Sequence, residues 1–412
     1  MRIRLTNIRE IVTPVCPDLA VGDNMNHLTV YTDSDIILSD GMIESIVHRN
    51  QSHPDVDQVV DAENSVVLPA FVDSHTHLVF GGTREDEFNL RIQGKKYMEI
   101  AAMGGGINST VRATRMEDEE TLFEQAVRNL RDMVAHGTAT FETKSGYGLD
   151  TETELKQLRV IKRLQDTQPV GIKATFLGAH EIPTEFRNRK EDYIKLVCNE
   201  MLPAVKEQGI AEYCDIFCET GVFNIDESRT ILRKAKDLGF KLRIHADELT
   251  PLGGGELAGE LGAVSADHLV HVSGTGIDKM IQAGVVFNML PGTTFFLMSD
   301  HFAPALDILA ANGILALSTD FNPGSSYTHS MPMIITLACL KMGLTIEQGI
   351  NAATINGAYS LGLQDVTGSI HPGKQADLTF LDAPSYKFLV YNFGVNRVRA
   401  VMKKGKFIFQ KS

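Results

Sequence analysis

Residues 68–77 read LPAFVDSHTH, an apolar run that ends in two histidines. The run predicts a strand, with His75 and His77 two residues apart where it stops. Because side chains at positions i and i+2 of a strand point to the same face, the two imidazoles could offer two nitrogens to one metal ion. An isolated His-x-His is more often a polar exit from a strand. The rest of the chain therefore decides whether these two histidines bind a metal ion.

The composition is typical of a soluble globular protein. The chain has 412 residues, 43% of them hydrophobic and 22% charged, and this length allows two domains or one barrel with an appendage. The net charge of -13 argues against a nucleic-acid-binding face, which would be basic. We find no apolar run of membrane-spanning length and no signal-peptide core. Five scattered cysteines, an odd number, indicate reduced thiols and a cytoplasmic location.

Both ends of the chain are predicted to form short strands and turns. Residues 40–47 suggest a turn and an alternating strand, residues 368–381 a turn followed by a strand, and residues 399–409 a hairpin. We find no helical pattern of useful length before about residue 65. The sequence therefore predicts one small β-domain built from residues 1–65 and 366–412, flanking a second domain at 66–365.

Strands and helices alternate through the middle of the chain. After the first strand, further strands are predicted at 138–142, 173–177, 213–217, 241–245, 266–271, 285–289 and 314–320. Helices are predicted at 117–136, 152–165, 192–208 (bent at Pro203), 226–238, 256–261, 276–283 and 303–311. This alternation predicts a (β/α)8 barrel. The main alternative, a doubly wound sheet, lacks its Gly-rich dinucleotide turn, since residues 251–255 do not have the required spacing.

Titratable residues stand at the ends of the predicted strands. Besides the first pair, they are His180, His245, Glu248, His268, His271 and Asp320. In a barrel all these strand ends face one mouth, where active sites lie. Three imidazoles and one carboxylate suit a catalytic zinc or iron ion with an open position for water.

Each of these residues also has a structural interpretation. His245 could be a core histidine, Asp320 a helix cap and Glu248 a surface carboxylate. Of the two histidines on the sixth strand, we expect His268 in the site and His271 in a structural role. Spacing alone does not decide whether His180 belongs to the site.

The pattern formed by His75, His77, His245, His268 and Asp320 on successive strands resembles the amidohydrolase superfamily. The resemblance implies a (β/α)8 barrel with a β-sandwich made from both termini, and it covers nearly the whole chain. The carbamylated lysine that is usual at the end of the fourth strand is not evident. This points to the branch with a single metal ion, in which His268 would lie near the bound water or the substrate.

Finer motifs narrow the resemblance. They are FGGTR at 80–84, ETKSGYG at 142–148, LGAHE at 177–181, HADE at 245–248 and STDFNPGSS at 318–326. Together they resemble the members that open 4-imidazolone-5-propanoate hydrolytically to N-formimidoyl-L-glutamate in L-histidine degradation. The resemblance implies a homodimer with one Zn²⁺ or Fe³⁺ per subunit. The implied metal ligands are His75, His77, His245 and Asp320. The implied substrate contacts are Arg84, Tyr147, His180, Glu248, Asn322, Gly324 and Ser325.

The residue chemistry agrees with such a substrate, which carries a propionate tail and a planar ring lactam. Arg84 could pair with the tail bidentately, although an isolated arginine is more often part of a surface salt bridge. Tyr147 lies between glycines in a loop, and the residues after the eighth strand could equally be ordinary turn residues. We expect Glu248 or Asp320 to take the water proton. We expect the metal or His268 to stabilise the oxyanion.

Two rival functions fit parts of the sequence. A deaminase of cytosine, guanine or a related ring could use the same strand ends, but those bases carry no carboxylate for Arg84. A barrel-like binding protein with a vestigial site is the non-enzymatic alternative, and the complete ligand set argues against it.

Overall fold

The strands of the chain are distributed over three sheets. The computed structural model describes residues 1–51, 54–95 and 105–411. Within these ranges one sheet has eight strands, one has six and one has four. In chain order the strands are β1 Arg2–Thr6, β2 Glu10–Pro14, β3 Leu28–Tyr31, β4 Ser34–Ser39, β5 Met42–His48, β6 Gln58–Asp61, β7 Val66–Pro69, β8 Phe71–Asp73, β9 Thr138–Lys144, β10 Gly171–Ala179, β11 Tyr213–Cys218, β12 Lys241–Ala246, β13 Ser265–His268, β14 Val286–Met289, β15 Leu315–Leu317, β16 Leu378–Leu381, β17 Val398–Lys403 and β18 Lys406–Gln410.

The eight-stranded sheet is a parallel barrel in which each strand pairs with its neighbours in sequence, from β8 to β15. The barrel closes where the first and last strands end. Thr76 forms a parallel bridge with Phe321. The Asp320 backbone N–H donates to His75 O at 3.1 Å, and the His77 N–H donates to Phe321 O at 2.9 Å. The predicted (β/α)8 fold is therefore confirmed.

Helices surround the barrel. In the described residues the α-helices are Glu85–Ile92, Ile107–Met116, Glu119–Ala135, Thr151–Thr167, Lys190–Leu196, Leu202–Gln208, Ile225–Asp237, Gly254–Leu261, Gly274–Ala283, Pro291–Phe296, Ala305–Ala310, Met331–Met342, Ile346–Ala353, Ile355–Ser360 and Phe388–Tyr391. The seven helices predicted between the barrel strands are present with slightly shifted ends. Among the described residues, no helix is both long and apolar enough to cross a membrane.

Local signals explain where these helices begin. Asp118 caps the helix Glu119–Ala135 by accepting a hydrogen bond from the Thr121 backbone N–H at 2.8 Å. Asn224 and Glu227 form a capping box at the start of Ile225–Asp237. Both caps satisfy N–H groups that have no partner within the helix.

The predicted bent helix at 192–208 is built from three parts. Lys190–Leu196 is α-helical, Val197–Met201 is a π-helical turn, and Leu202–Gln208 is α-helical again. Pro203 lies two residues after Met201, where the π-helical turn ends. Because proline has no N–H to donate, the regular hydrogen-bond ladder is interrupted at this point.

The run at residues 68–77, predicted as one strand, is divided between two strands in different sheets: residues 68 and 69 belong to β7, and residues 71–73 form β8. β7 pairs with β16 and β2, whereas β8 pairs with β9. The Ala70 N–H donates to Asp377 O at 2.9 Å, and the next N–H, of Phe71, donates to Gly137 O at 2.9 Å. The chain therefore passes from one sheet to the other at Ala70.

The sixth barrel strand is shorter than predicted. It ends at His268, because His268 and Leu269 have φ angles of 75° and 59°. Such left-handed conformations stop a strand. His271 consequently lies in the loop that follows.

Of the remaining two sheets, the six-stranded one combines strands from both ends of the chain, whereas the four-stranded one contains strands of the N-terminal end alone. Their strand orders are β5-β4-β1-β6 and β18-β17-β16-β7-β2-β3. Buried side chains of both sheets, such as Leu5, Ile36, Val67 and Phe380, form one apolar cluster. β7 follows the predicted boundary at residue 65 yet belongs to the six-stranded sheet. The division at 65 and 366 stays a prediction.

Candidate metal centre

Two imidazoles from the start of the barrel meet a carboxylate from its end. His75 and His77 lie just beyond β8, one on each side of the bridging residue Thr76. His75 Nε2 is 3.3 Å and His77 Nε2 is 3.4 Å from Asp320 Oδ1. All three side chains are buried. The barrel closure thus brings together residues that are far apart in sequence.

His245 completes the predicted ligand set. It lies near the end of β12, and its ring centroid is 4.5 Å from that of His75 and 5.6 Å from that of His77. His180 and His268 lie beside it, with ring centroids 5.8 and 5.3 Å away. Three overlapping groups of these side chains have ligand atoms within 4.8 Å of one another.

Two carboxylates that we did not predict lie behind the imidazoles. Asp267 Oδ2 is 3.1 Å from His75 Nδ1, and Asp215 Oδ2 is 3.0 Å from His245 Nδ1. A carboxylate on one ring nitrogen orients the other nitrogen of the ring towards a metal ion. Thr293 Oγ1 donates to Asp320 Oδ2 at 2.6 Å, which leaves Asp320 Oδ1 facing the histidines.

These residues fit a divalent metal ion. In a tetrahedral site with ligand bonds of about 2.1 Å, neighbouring ligand atoms are about 3.4 Å apart. The distances of 3.3 and 3.4 Å to Asp320 Oδ1 match this spacing. The buried Nε2 atom of His245 has no hydrogen-bond partner among the described residues. Unpaired buried nitrogens are costly unless they bind an ion.

The electrostatics of the site agree with this fit. Burial lowers the pKa of His77 to about 4 and that of His268 to about 3, so both rings are neutral at pH 7. Burial and Lys144 also act to lower the pKa of His75, but Asp267 and Asp320 outweigh them and raise it to about 9. The negative field that holds a proton on His75 equally favours a metal cation.

The histidine cluster opens into a cavity of about 600 Å³. All seven predicted substrate contacts line it: Arg84, Tyr147, His180, Glu248, Asn322, Gly324 and Ser325. His268 also lines the cavity. So does His271, whose ring stacks on that of His301 with the centroids 4.9 Å apart. His271, for which we expected a structural role, is thus part of the cavity wall.

Glu248 lies on the wall beside His268, with Oε2 3.5 Å from His268 Nε2. Burial, together with the charges of Asp320 and Glu219, raises the pKa of Glu248 to about 8. At neutral pH this carboxyl group is therefore mostly protonated and can donate a proton.

A buried glutamate holds the loop that carries Tyr147. Glu154 accepts hydrogen bonds from the backbone N–H groups of Gly146, Gly148 and Leu149 at 3.0, 2.8 and 2.8 Å. The loop in turn places Tyr147 against the cluster, with its ring centroid 5.8 Å from that of His77 and 5.3 Å from that of His180.

A second part of the cavity lining is cationic, and we refer to it as the tail end. Arg84 donates two hydrogen bonds to Glu87 Oε2 at 2.9 and 2.8 Å. Its Nη1 lies over Gly324, where an added Cβ would come within 2.0 Å of it. Arg91 donates to Gly324 O at 3.1 Å, and Lys95 also lines this end. Such an end suits a carboxylate.

Asn322 uses its side chain within its own loop. Its Oδ1 accepts hydrogen bonds from the backbone N–H groups of Gly324 and Ser325, both at 2.8 Å, and its Nδ2 donates to Asp320 O at 2.7 Å. This is the turn chemistry that we considered as the alternative for this residue. It fixes the loop beside Arg84.

Residues 66–408 match the family model described as Amidohydrolase family. The chain belongs to the amidohydrolase family. It is 48% identical over 415 residues to an imidazolonepropionase of Clostridium tetani, an alignment that covers 99% of this chain and 98% of that one. It is 45% identical to an imidazolonepropionase of Bacillus velezensis, with coverage of 98% and 96%. These relatives confirm the narrower resemblance predicted from the motifs.

Similar solved structures confirm the fold alone. A 5-methylcytosine deaminase from Klebsiella pneumoniae aligns with a TM-score of 0.75 at 17% identity, covering all of this chain and 98% of that one. A guanine deaminase from C. acetobutylicum aligns with a TM-score of 0.71 at 14% identity, covering 99% and 100%. At such low identity the shared barrel does not transfer an activity.

The positioning carboxylates of this amidohydrolase were the main residues missed in the sequence. Asp215 and Asp267 lie inside buried strands, β11 and β13. A carboxylate inside an otherwise apolar strand must find a buried partner, so their position was a usable signal. The partner itself lies on another strand and has no local signature.

Proposed function

We propose that this chain opens the ring of 4-imidazolone-5-propanoate by hydrolysis to give N-formimidoyl-L-glutamate. One observation carries the proposal: a single cavity is lined both by a histidine cluster fit for a metal ion and by Arg84. A metal ion in the cluster would polarise the ring carbonyl, and the Arg84 guanidinium would pair with the propionate tail. A nucleobase carries no carboxylate to pair with Arg84.

We propose that His75, His77, His245 and Asp320 hold one zinc or iron ion per subunit. A bound ion would act as a Lewis acid, which activates water and polarises the ring carbonyl. The identity of the ion follows from metal analysis of the purified protein, because both metals accept three nitrogens and one oxygen.

The protein side chains carry the protons. Asp320, facing the cluster, accepts a proton from the attacking water. The water oxygen bonds to the ring carbonyl carbon, and the bond from that carbon to the ring nitrogen breaks. Glu248, protonated at neutral pH, donates a proton to the departing nitrogen. His268 lies against Glu248 and donates a hydrogen bond to the oxyanion that forms.

The remaining residues bind and orient the substrate. Arg84 pairs with the propionate through its guanidinium, and Ser325, in the loop fixed by Asn322, binds the same tail. Tyr147 and His180 flank the ring beside the metal centre. Holding both ends of the substrate places the carbonyl carbon against the water, which is the entropic part of catalysis.

The experiment measures metal content and turnover on one purified sample. We expect about one zinc or iron ion per chain and ring opening of 4-imidazolone-5-propanoate that a chelator abolishes. Guanine and cytosine serve as control substrates. Ammonia release from either base, without ring opening of the imidazolone, would contradict the proposal and favour a deaminase.

We further propose that the enzyme is a cytoplasmic homodimer, as its family resemblance implies. All five cysteines are free thiols, which agrees with a reducing compartment. Sedimentation of the purified protein tests the dimer, and a monomer at micromolar concentration would contradict it.

A further inference from the structure

A fully buried lysine lies beside the metal centre and takes no part in the reaction proposed above. Lys144 is the last residue of β9, and its side chain has no exposed surface. Its Nζ is 2.8 Å from Glu142 Oε1 and 2.9 Å from Asp215 Oδ2. A buried ammonium is costly unless it is paired in good geometry, so this arrangement invites a functional explanation.

One of its two partners leads to His245. The oxygen of Asp215 that contacts Lys144 is the same Oδ2 that lies 3.0 Å from His245 Nδ1. The ammonium therefore fixes the position of this oxygen. With its proton held on Nδ1, the ring presents the Nε2 lone pair to the centre.

The other partner leads to the first two histidines. Glu142 Oε2 accepts a hydrogen bond from the Thr76 backbone N–H at 3.3 Å. The Lys144 backbone N–H donates to Thr76 O at 3.0 Å. Thr76 stands between His75 and His77, so its backbone orientation sets the direction of both imidazoles.

We infer that Lys144 is a positioning residue of the metal centre. Through Asp215 and Glu142, its ammonium sets the geometry of three ligands, His75, His77 and His245. It does not line the cavity and therefore acts on the ion through these carboxylates and not on the substrate. The inference rests on the ligand set proposed above.

The test compares two buried lysines. In Lys144→Met, the ammonium beside the ligands is removed. The control is Lys403→Met. Lys403 lies on β17 of the six-stranded sheet, pairs with Asp377 Oδ2 at 2.8 Å and donates to Thr140 Oγ1 at 2.9 Å. Each full-length protein is stripped of metal and titrated with Zn²⁺ against a chelator of known affinity.

We expect Lys144→Met to weaken zinc binding about tenfold to a hundredfold, the usual cost of losing a group behind the ligands. Zinc should also raise the melting temperature of this variant less than that of the wild type, and its cobalt(II) absorption bands should shift. Lys403→Met should lower the melting temperature but keep the zinc affinity and the cobalt spectrum. Wild-type zinc affinity in Lys144→Met would overturn the inference.

A second variant keeps the test valid if Lys144→Met does not fold. The double variant Lys144→Gln, Glu142→Gln removes one positive and one negative charge, so the buried charge stays balanced while Asp215 loses its ammonium. Weakened zinc binding is again expected, and wild-type affinity would overturn the inference. His245→Ala separates the two proposals: if it keeps full zinc affinity, the ligand set itself is wrong.

Discussion

The two ends of the cavity are built differently. At the metal end, His75, His77 and Asp320 follow barrel strands, are buried, and contact further buried side chains. At the tail end, Arg84 and Glu87 retain 11% and 13% of their side-chain exposure, and the helix Glu85–Ile92 has no buried residue. We infer that the barrel strands fix the reaction, whereas less deeply buried segments outside the barrel sheet select the substrate. The predictions below test this division.

The largest effect should come from the metal end. His77→Ala removes an imidazole of the proposed ligand set, so we expect the protein to lose its metal and its turnover to fall to that of chelator-treated enzyme. Metal analysis and steady-state kinetics measure both. His271→Ala, in the wall of the same cavity, is the matched control and should keep the metal. A fully loaded, active His77→Ala protein would rule His77 out as a ligand.

Glu248→Gln should come next, because it removes the acid but not the metal. We expect kcat to fall about 10²- to 10⁴-fold, the usual contribution of general acid catalysis, with the metal retained. Since Glu248 acts protonated and its pKa is raised to about 8, wild-type activity should decline as the pH rises through this value. This decline of activity with rising pH should be absent in Glu248→Gln. Near-normal turnover would exclude Glu248 from proton transfer. The control is Glu256→Gln, because Glu256 lies in the helix Gly254–Leu261, accepts a hydrogen bond from Ser273 and does not line the cavity.

Arg84→Ala tests the tail end. Loss of a charged hydrogen bond costs about 1.5–3 kcal/mol, so we expect KM to rise about tenfold to a hundredfold while kcat changes little. Arg84→Lys keeps the charge without the planar fork and should be intermediate. Metal content should stay at the wild-type level in both. An unchanged KM in Arg84→Ala would remove this residue from substrate binding.

The smallest effect should follow Gly324→Ala. An added Cβ would come within 2.0 Å of Arg84 Nη1, so the guanidinium must move away from the loop. We expect a rise in KM below that of Arg84→Ala, with kcat and metal content unchanged. Gly274→Ala, where the added methyl meets nothing within 4 Å, should leave KM as it is. A loss of metal in Gly324→Ala would show that the two ends of the cavity are not independent.

Sequence reasoning succeeded where the chemistry is local. His75 and His77 share one short motif, and strand ends in a barrel converge by topology, so the convergence of these side chains could be predicted without coordinates. It failed where contacts join distant strands. Neither the pairing of Asp267 with His75 nor that of Lys144 with Asp215 has a pattern in the chain. Glu87 was an available signal, because it lies three residues after Arg84 on a helix.

Backbone conformation explains the remaining errors. The left-handed φ angles at His268 and Leu269 end the sixth strand early. Neither residue is a glycine or an asparagine, the residue types that would indicate such a conformation in the sequence. The transfer between sheets at Ala70 was hidden for a different reason. The apolar pattern continues across it, since both strands are buried.

The bridge between Thr76 and Phe321 has a consequence for biosynthesis. The proposed ligands stand on both sides of this seam, so the nascent chain exposes His75 and His77 long before Asp320 has been translated. Folding proceeds from the N-terminus during synthesis, yet a complete site exists only after the eighth strand joins the first. Metal uptake is therefore expected after translation of the whole barrel. The metal content per chain of a preparation then measures the fraction of molecules whose barrels have closed.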